Sequence, residues 1–97
     1  MLETTGDYIR VKTDTGARAV VDADGRVYVA PPSGLVRETL FSAMFDGVSD
    51  LVVMDGAHYY PSDWWERHHA NDPVVLEAFR GFVARIRAGN IEERERG

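Results

Sequence analysis

Residues 55–72, DGAHYYPSDWWERHHAND, hold every histidine and tryptophan of the chain: His58, His68, His69, Trp64 and Trp65. Beside them stand Tyr59, Tyr60 and the carboxylates Asp55, Asp63, Glu66 and Asp72. Imidazoles titrate and ligate metals near neutral pH, and large rings bring wide contact area with few rotors to freeze. Three chemistries fit such a segment: metal ligation, proton transfer and partner binding.

For a metal, Glu66 and His69 lie three apart on a predicted helix with Asp63 three residues earlier, so one face could present two carboxylates and an imidazole. Asp55 and His58 on the preceding loop could complete a shell, which makes His58, Glu66 and His69 the metal-ligating alternative. Glu-x-x-His sites in helical bundles use two copies, however, and this chain has one. Asp63 and Glu66 also suit a capping box at the start of that helix. No metal or other cofactor is assigned.

For proton chemistry, His58, His68 or His69 could serve Ser62 or a bound water, oriented by Asp55 or Asp72. The motifs that fix such geometry are missing: there is no glycine-flanked serine elbow and no phosphate-cradling glycine loop. Asp55-Gly56 reads as a plain turn. A chain of 97 residues also has little room to enclose a substrate. A small metal-dependent or histidine-based enzyme therefore stands as the alternative, with no catalytic residue assigned.

For binding, neighbouring helical residues point about 100° apart, so only one of Trp64 and Trp65 can sit at the centre of a core-facing stripe. The other belongs at its edge or in solvent. The leading expectation is a small acidic interaction protein of the regulator, inhibitor or immunity type. It would bind a protein partner through Tyr59, Tyr60, Trp64 and Trp65 with Asp55, Asp63, Glu66 and Asp72. Self-association into a homodimer, through an open sheet edge or a tyrosine-bearing sheet face, is a further option.

Composition narrows the partners. At 44% hydrophobic and 28% charged residues the chain is globular in character. Residues 1–72 carry twelve acidic side chains against six basic ones, and the net charge of the whole is −5. That balance repels phosphate backbones and argues against nucleic acid. No cysteine is present, so disulfides and thiolate chemistry are excluded and a reducing compartment is the default. No run approaches the roughly 20 apolar residues of a membrane span, and the start of the chain lacks the basic and apolar order of an export signal. A cytoplasmic location without membrane attachment is expected.

The elements that would position the segment are read from periodicity and punctuation. Residues 7–13, 17–23 and 26–30 are β-prone and separated by Asp14-Thr15-Gly16 and Asp24-Gly25, the second a two-residue hairpin signal. Alternation puts Ile9, Val11, Val27 and Val29 on a core face, and Tyr8, Arg10, Lys12, Arg26 and Tyr28 on a face toward solvent or a partner. Pro31-Pro32 stops the third strand, and Ser33 could cap the helix that follows.

From 35 to 46 the apolar residues Val36, Leu40, Phe41, Met44 and Phe45 recur at helical spacing, with Gly47 just past the end. Residues 51–54, LVVM, suit a strand buried on both faces. A loop ending at Pro61 leads to a short helix reaching about Ala70. Asp72 caps a last helix that starts at Pro73 and runs to about Ala88, with Val75, Leu76, Phe79, Phe82, Val83 and Ile86 as its apolar stripe and Gly89 as its stop.

The expected fold is α+β, a three-stranded antiparallel meander plus a fourth strand with helices on one face, in the order β-β-β-α-β-α-α. Residues 1–89 form the single domain and 90–97 a charged, frayed tail.

Overall fold

A computed structural model describes residues 8–12, 17–88 and 93–96. The class is α+β with the expected meander, but among the described residues six strands form where the sequence predicts four. In chain order the elements are β1 (Ile9–Lys12), β2 (Arg18–Val21), β3 (Val27–Val29), a 3-10 turn (Ser33–Leu35) running into α1 (Val36–Phe45), β4 (Val52–Met54), β5 (Ala57–Pro61), α2 (Ser62–His68), α3 (Pro73–Arg87) and β6 (Glu93–Arg96). The sheet order is β4-β5-β3-β2-β1-β6, with every pairing antiparallel.

The two added strands come from segments read otherwise. Residues 57–61 were expected to be loop; they pair with β4 on one side and with β3 on the other, placing Val29 opposite Tyr60. Asp55-Gly56 is the two-residue hairpin turn between β4 and β5, with φ of 52° and 77°. Both residues must be left-handed in the hairpin turn that matches strand twist, which Asp tolerates and Gly favours. At Asp24-Gly25, where a two-residue turn was expected, the loop is longer. Asp22 and Arg26 close it, Gly25 takes φ 83°, and the Asp22 carboxylate accepts from the Asp24 and Arg26 amides at 2.9 Å each.

The second addition lies in the expected tail, whose residues 93–96 pair with β1, Ile9 opposite Arg96 and Lys12 opposite Glu93. The expectations for Asp14-Thr15-Gly16 and Gly89 lie outside the described residues.

Alternation gives the sheet two faces, and both carry a core. Val11, Ala19, Val27, Val29 and Tyr60 meet Ala43, Trp64, Trp65, Val83 and Ile86 under the helices. On the other face Val20, Tyr28, Ala30, Val52, Met54 and Tyr59 form a second cluster with Tyr8 packed against it. No helix contributes to that cluster; the sheet curls over itself. Arg10 of β1 reaches the β4–β5 hairpin, donating to Met54 Sδ at 3.2 Å and pairing with Asp55. This corrects the reading of Tyr28 as a solvent-facing residue and leaves Arg10 half-buried. Strand alternation assigns a side but cannot tell a flat sheet from one bent into a trough.

The helices end as the sequence signals require at two places. After α1 the Gly47 amide donates to Met44 O and the Val48 amide to Ala43 O, with Gly47 at φ 70°, a glycine-terminated C-cap. At the start of α3 the Asp72 carboxylate accepts from the Val75 amide at 3.2 Å, with Pro73 in the first turn. The other two expected caps do not form. Neither Ser33 nor Asp63 makes a side-chain cap, and α2 starts at Ser62 behind Pro61. Among the described residues no helix is long and apolar enough to cross a membrane.

Candidate functional site

Trp64 is 0% exposed and Trp65 7%, and Tyr59 and Tyr60 are buried as well. The expectation that these rings form a contact patch is corrected: in this fold they are core. The reason is β5. A strand continuing directly into α2 aims Tyr60 under the helices and Tyr59 into the trough, while α2 lies flat enough to turn both tryptophans inward. The indoles are 5.0 Å apart at 67°, and the Tyr60 ring lies 5.3 Å from Trp64 and 6.1 Å from Trp65. A helix lying on a flat surface would leave one of two adjacent indoles at its edge or in solvent. Here α2 packs on β3, β5 and α3, and Trp64 reaches the end of α1 through Asp46.

Each indole N–H has an acceptor, as a buried donor must. Trp65 Nε1 donates to the Val29 carbonyl at 3.0 Å, and Trp64 Nε1 donates to Asp46 Oδ2 at 2.9 Å, tying α2 to the end of α1.

The four carboxylates of the expected patch are engaged within the chain. Asp55 pairs with Arg10, Asp63 with Arg26 and Arg67, and Glu66 with Arg80, while Asp72 caps α3. Arg26 is the centre of one network, contacting Asp63 at 3.0 Å and Asp50 at 2.7 Å, with its guanidinium 5.2 Å from the centre of the Tyr28 ring. Partial burial is the largest single influence on the Asp63 carboxyl and would raise it, but the hydrogen bond from Arg26, a backbone hydrogen bond and the charges of Arg26 and Arg67 together outweigh it and leave that group below the usual carboxylate range. The same bond raises Arg26.

The metal alternative finds no support in the geometry. Among the described residues no three histidines or carboxylates converge on one point, and His58, Glu66 and His69 are dispersed. His58 lies on β5 opposite Val53, and Glu66 is held at 2.9 Å by Arg80. His69 stacks on Trp65 at 5.7 Å. Burial holds the His69 imidazole below its ordinary value, neighbouring His68 adds to the effect and Asp72 opposes it.

That stacked imidazole opens onto a groove of about 730 Å³ between α3 and the far ends of β2 and β3. Val29, Ala30 and Trp65 form its floor. Val75, Ala78, Phe82 and Arg85 of α3 form one wall, with Phe79 behind, and Pro31, Pro32 and Ser33 form the other. Arg18 and Arg85 stand at its rim, and no carboxylate among the described residues pairs with either guanidinium. No family model, curated protein or solved structure matches the chain.

Sequence reasoning assigned Val75, Phe79 and Phe82 to the core stripe of α3 and so missed the groove. A signal was present. Val75, Ala78, Phe82 and Arg85 follow one another at helical spacing on one flank, beside the Val83 and Ile86 line that the core buries. An apolar arc wider than the surface it covers leaves its margin facing something else.

Proposed function

We propose that this chain is a small interaction protein, and that the groove between α3 and the β2–β3 rim receives an apolar segment of a protein partner bearing carboxylates. The carrying observation is the pairing of an apolar floor and wall, Val29, Ala30 and Trp65 with Phe79 and Phe82, with two guanidiniums at the rim of an otherwise acidic protein. Volumes of this order suit several side chains of a bound segment. Guanidiniums with no carboxylate partner among the described residues select a carboxylate over a lysine-bearing segment by like-charge repulsion as much as by attraction. A neutral imidazole stacked on Trp65 extends the apolar wall. Such a protein acts by occupancy, as a regulator or inhibitor does.

The test uses short synthetic peptides, two or three apolar residues followed either by two aspartates or by two lysines, titrated into isotope-labelled protein. Binding of the aspartate series should move the Trp65 indole N–H resonance and leave that of Trp64 in place. Ala78→Arg, a change at an exposed position of the groove wall, should abolish the shift without lowering the melting temperature. Indifference of the Trp65 signal to both series, or equal response to both, would overturn the reading.

A further inference from the structure

On α1 the small residues Thr39 and Ala43 face inward, and the large apolar ones face out. Phe41 is 72% exposed, Met44 71% and Phe45 86%, with Leu35 and Val36 also exposed at the N-terminal end. The spacing of 41, 44 and 45 makes one continuous stripe. Unpaired apolar area of this kind on a helix is uncommon on a monomer and marks a contact surface.

We infer that the outer face of α1 packs against the same face of a second copy of this chain, the two helices running antiparallel about a two-fold axis over Phe41. This surface is separate from the groove, and the inference stands or falls without it.

Three observations favour a second copy over an unrelated partner. The first is area. The exposed parts of Phe41, Met44 and Phe45 come to something on the order of 450 Å² at the usual size of such side chains, and Arg37 on the same arc adds to it. A specific interface needs about 500 Å² from each partner. The second is charge. Arg37 lies on the same outward arc, has no carboxylate partner among the described residues, and sits near one end of α1, with Asp46 at the other. A two-fold rotation over Phe41 brings Arg37 of one copy to Phe45 and Asp46 of the other, so a guanidinium meets a ring face and a carboxylate at both ends. A parallel arrangement would set Arg37 against Arg37. The third is local neutrality. The chain as a whole is acidic, yet α1 carries one positive and one negative residue, Arg37 and Glu38, so self-repulsion is weak where the copies meet.

Sedimentation of the full chain over a range of concentrations should show the mass doubling as concentration rises. Phe41→Glu with Phe45→Glu should hold it at the monomer mass while the melting temperature, measured at high dilution, stays unchanged. Orientation is read by cross-linking, since the chain has no cysteine of its own. Phe41→Cys should oxidise readily to a covalent dimer. Arg37→Cys and Phe45→Cys should cross-link when the two variants are mixed, and not when either is alone. A chain that stays monomeric at every concentration would overturn the inference. So would a dimer that survives the double glutamate variant, or one in which Arg37→Cys links to itself.

Discussion

Asp46 is exposed and looks expendable, yet its carboxylate accepts the hydrogen bond of the most deeply buried ring in the protein. Replacing it tests whether α1 is fastened to the body through Trp64. A hydrogen bond to a charged group contributes about 1.5–3 kcal/mol, toward the lower end here because the carboxylate remains solvated. Against that, Asp46 caps the negative end of α1, and removing its charge recovers about 0.3–1 kcal/mol. Asp46→Ala should therefore destabilise the fold by about 1 kcal/mol, a drop of about 4–8 °C in melting temperature for a domain of this size.

Asp46→Asn separates the two effects. Its carbonyl still accepts from Nε1 while the unfavourable charge is gone, so its stability should equal or slightly exceed that of the natural protein. Trp64→Phe keeps most of the ring and deletes the donor. In a double-mutant cycle with Asp46→Ala, followed by urea denaturation at equilibrium, the coupling should be about 1 kcal/mol, well above the ~0.3–0.5 kcal/mol within which independent sites add. Coupling inside that error, or an Asn variant as unstable as the Ala variant, would refute the fastening.

Two further outcomes follow from the site and the turn. His69 has a folded-state value below its ordinary 6.5, so the stability it contributes is full above that pH and is lost as the pH falls from there through the lowered value; melting curves from mildly alkaline to mildly acidic pH should show this decline, and His69→Gln should flatten it. Gly56→Ala meets no neighbouring atom but forces an alanine to φ 77°, which should cost about 1–2 kcal/mol in chemical denaturation, because left-handed backbone is disfavoured by that much for a residue with a Cβ.

The legible part of this fold was the part specified locally. Asp24-Gly25 marked the place of the β2–β3 turn though not its length, Asp72-Pro73 marked the start of α3, and Gly47 marked the end of α1. What was lost depended on distant partners. AHYYP was read for the chemistry of its tyrosines, and its strand identity rests on a pairing between Val29 and Tyr60 that no short window contains. ERER alternates with the period of a strand, but a run of charge at the end of a chain carries no apolar face to announce one. The helical spacing of Phe41, Met44 and Phe45 was correct as to element, whereas the face that turns inward was decided by how closely Thr39 and Ala43 let α1 approach its neighbours. The concentration of aromatics in 55–72 did mark something real. It marked the joint where sheet, α1 and α3 meet, and only Trp65 and His69 contribute from there to the groove.

The pairing of β1 with β6 joins residues more than eighty positions apart, while β1 also adjoins its immediate successor β2. During synthesis the second strand can settle against the first, and the third against the second, almost at once, but one side of the first stays open until nearly the whole described chain has emerged. Closure of so long a loop is slow compared with hairpin formation. A nascent or truncated chain ending after α3 would thus present an open strand of alternating apolar and basic residues, and the completing step is the one that removes it from the reach of other chains.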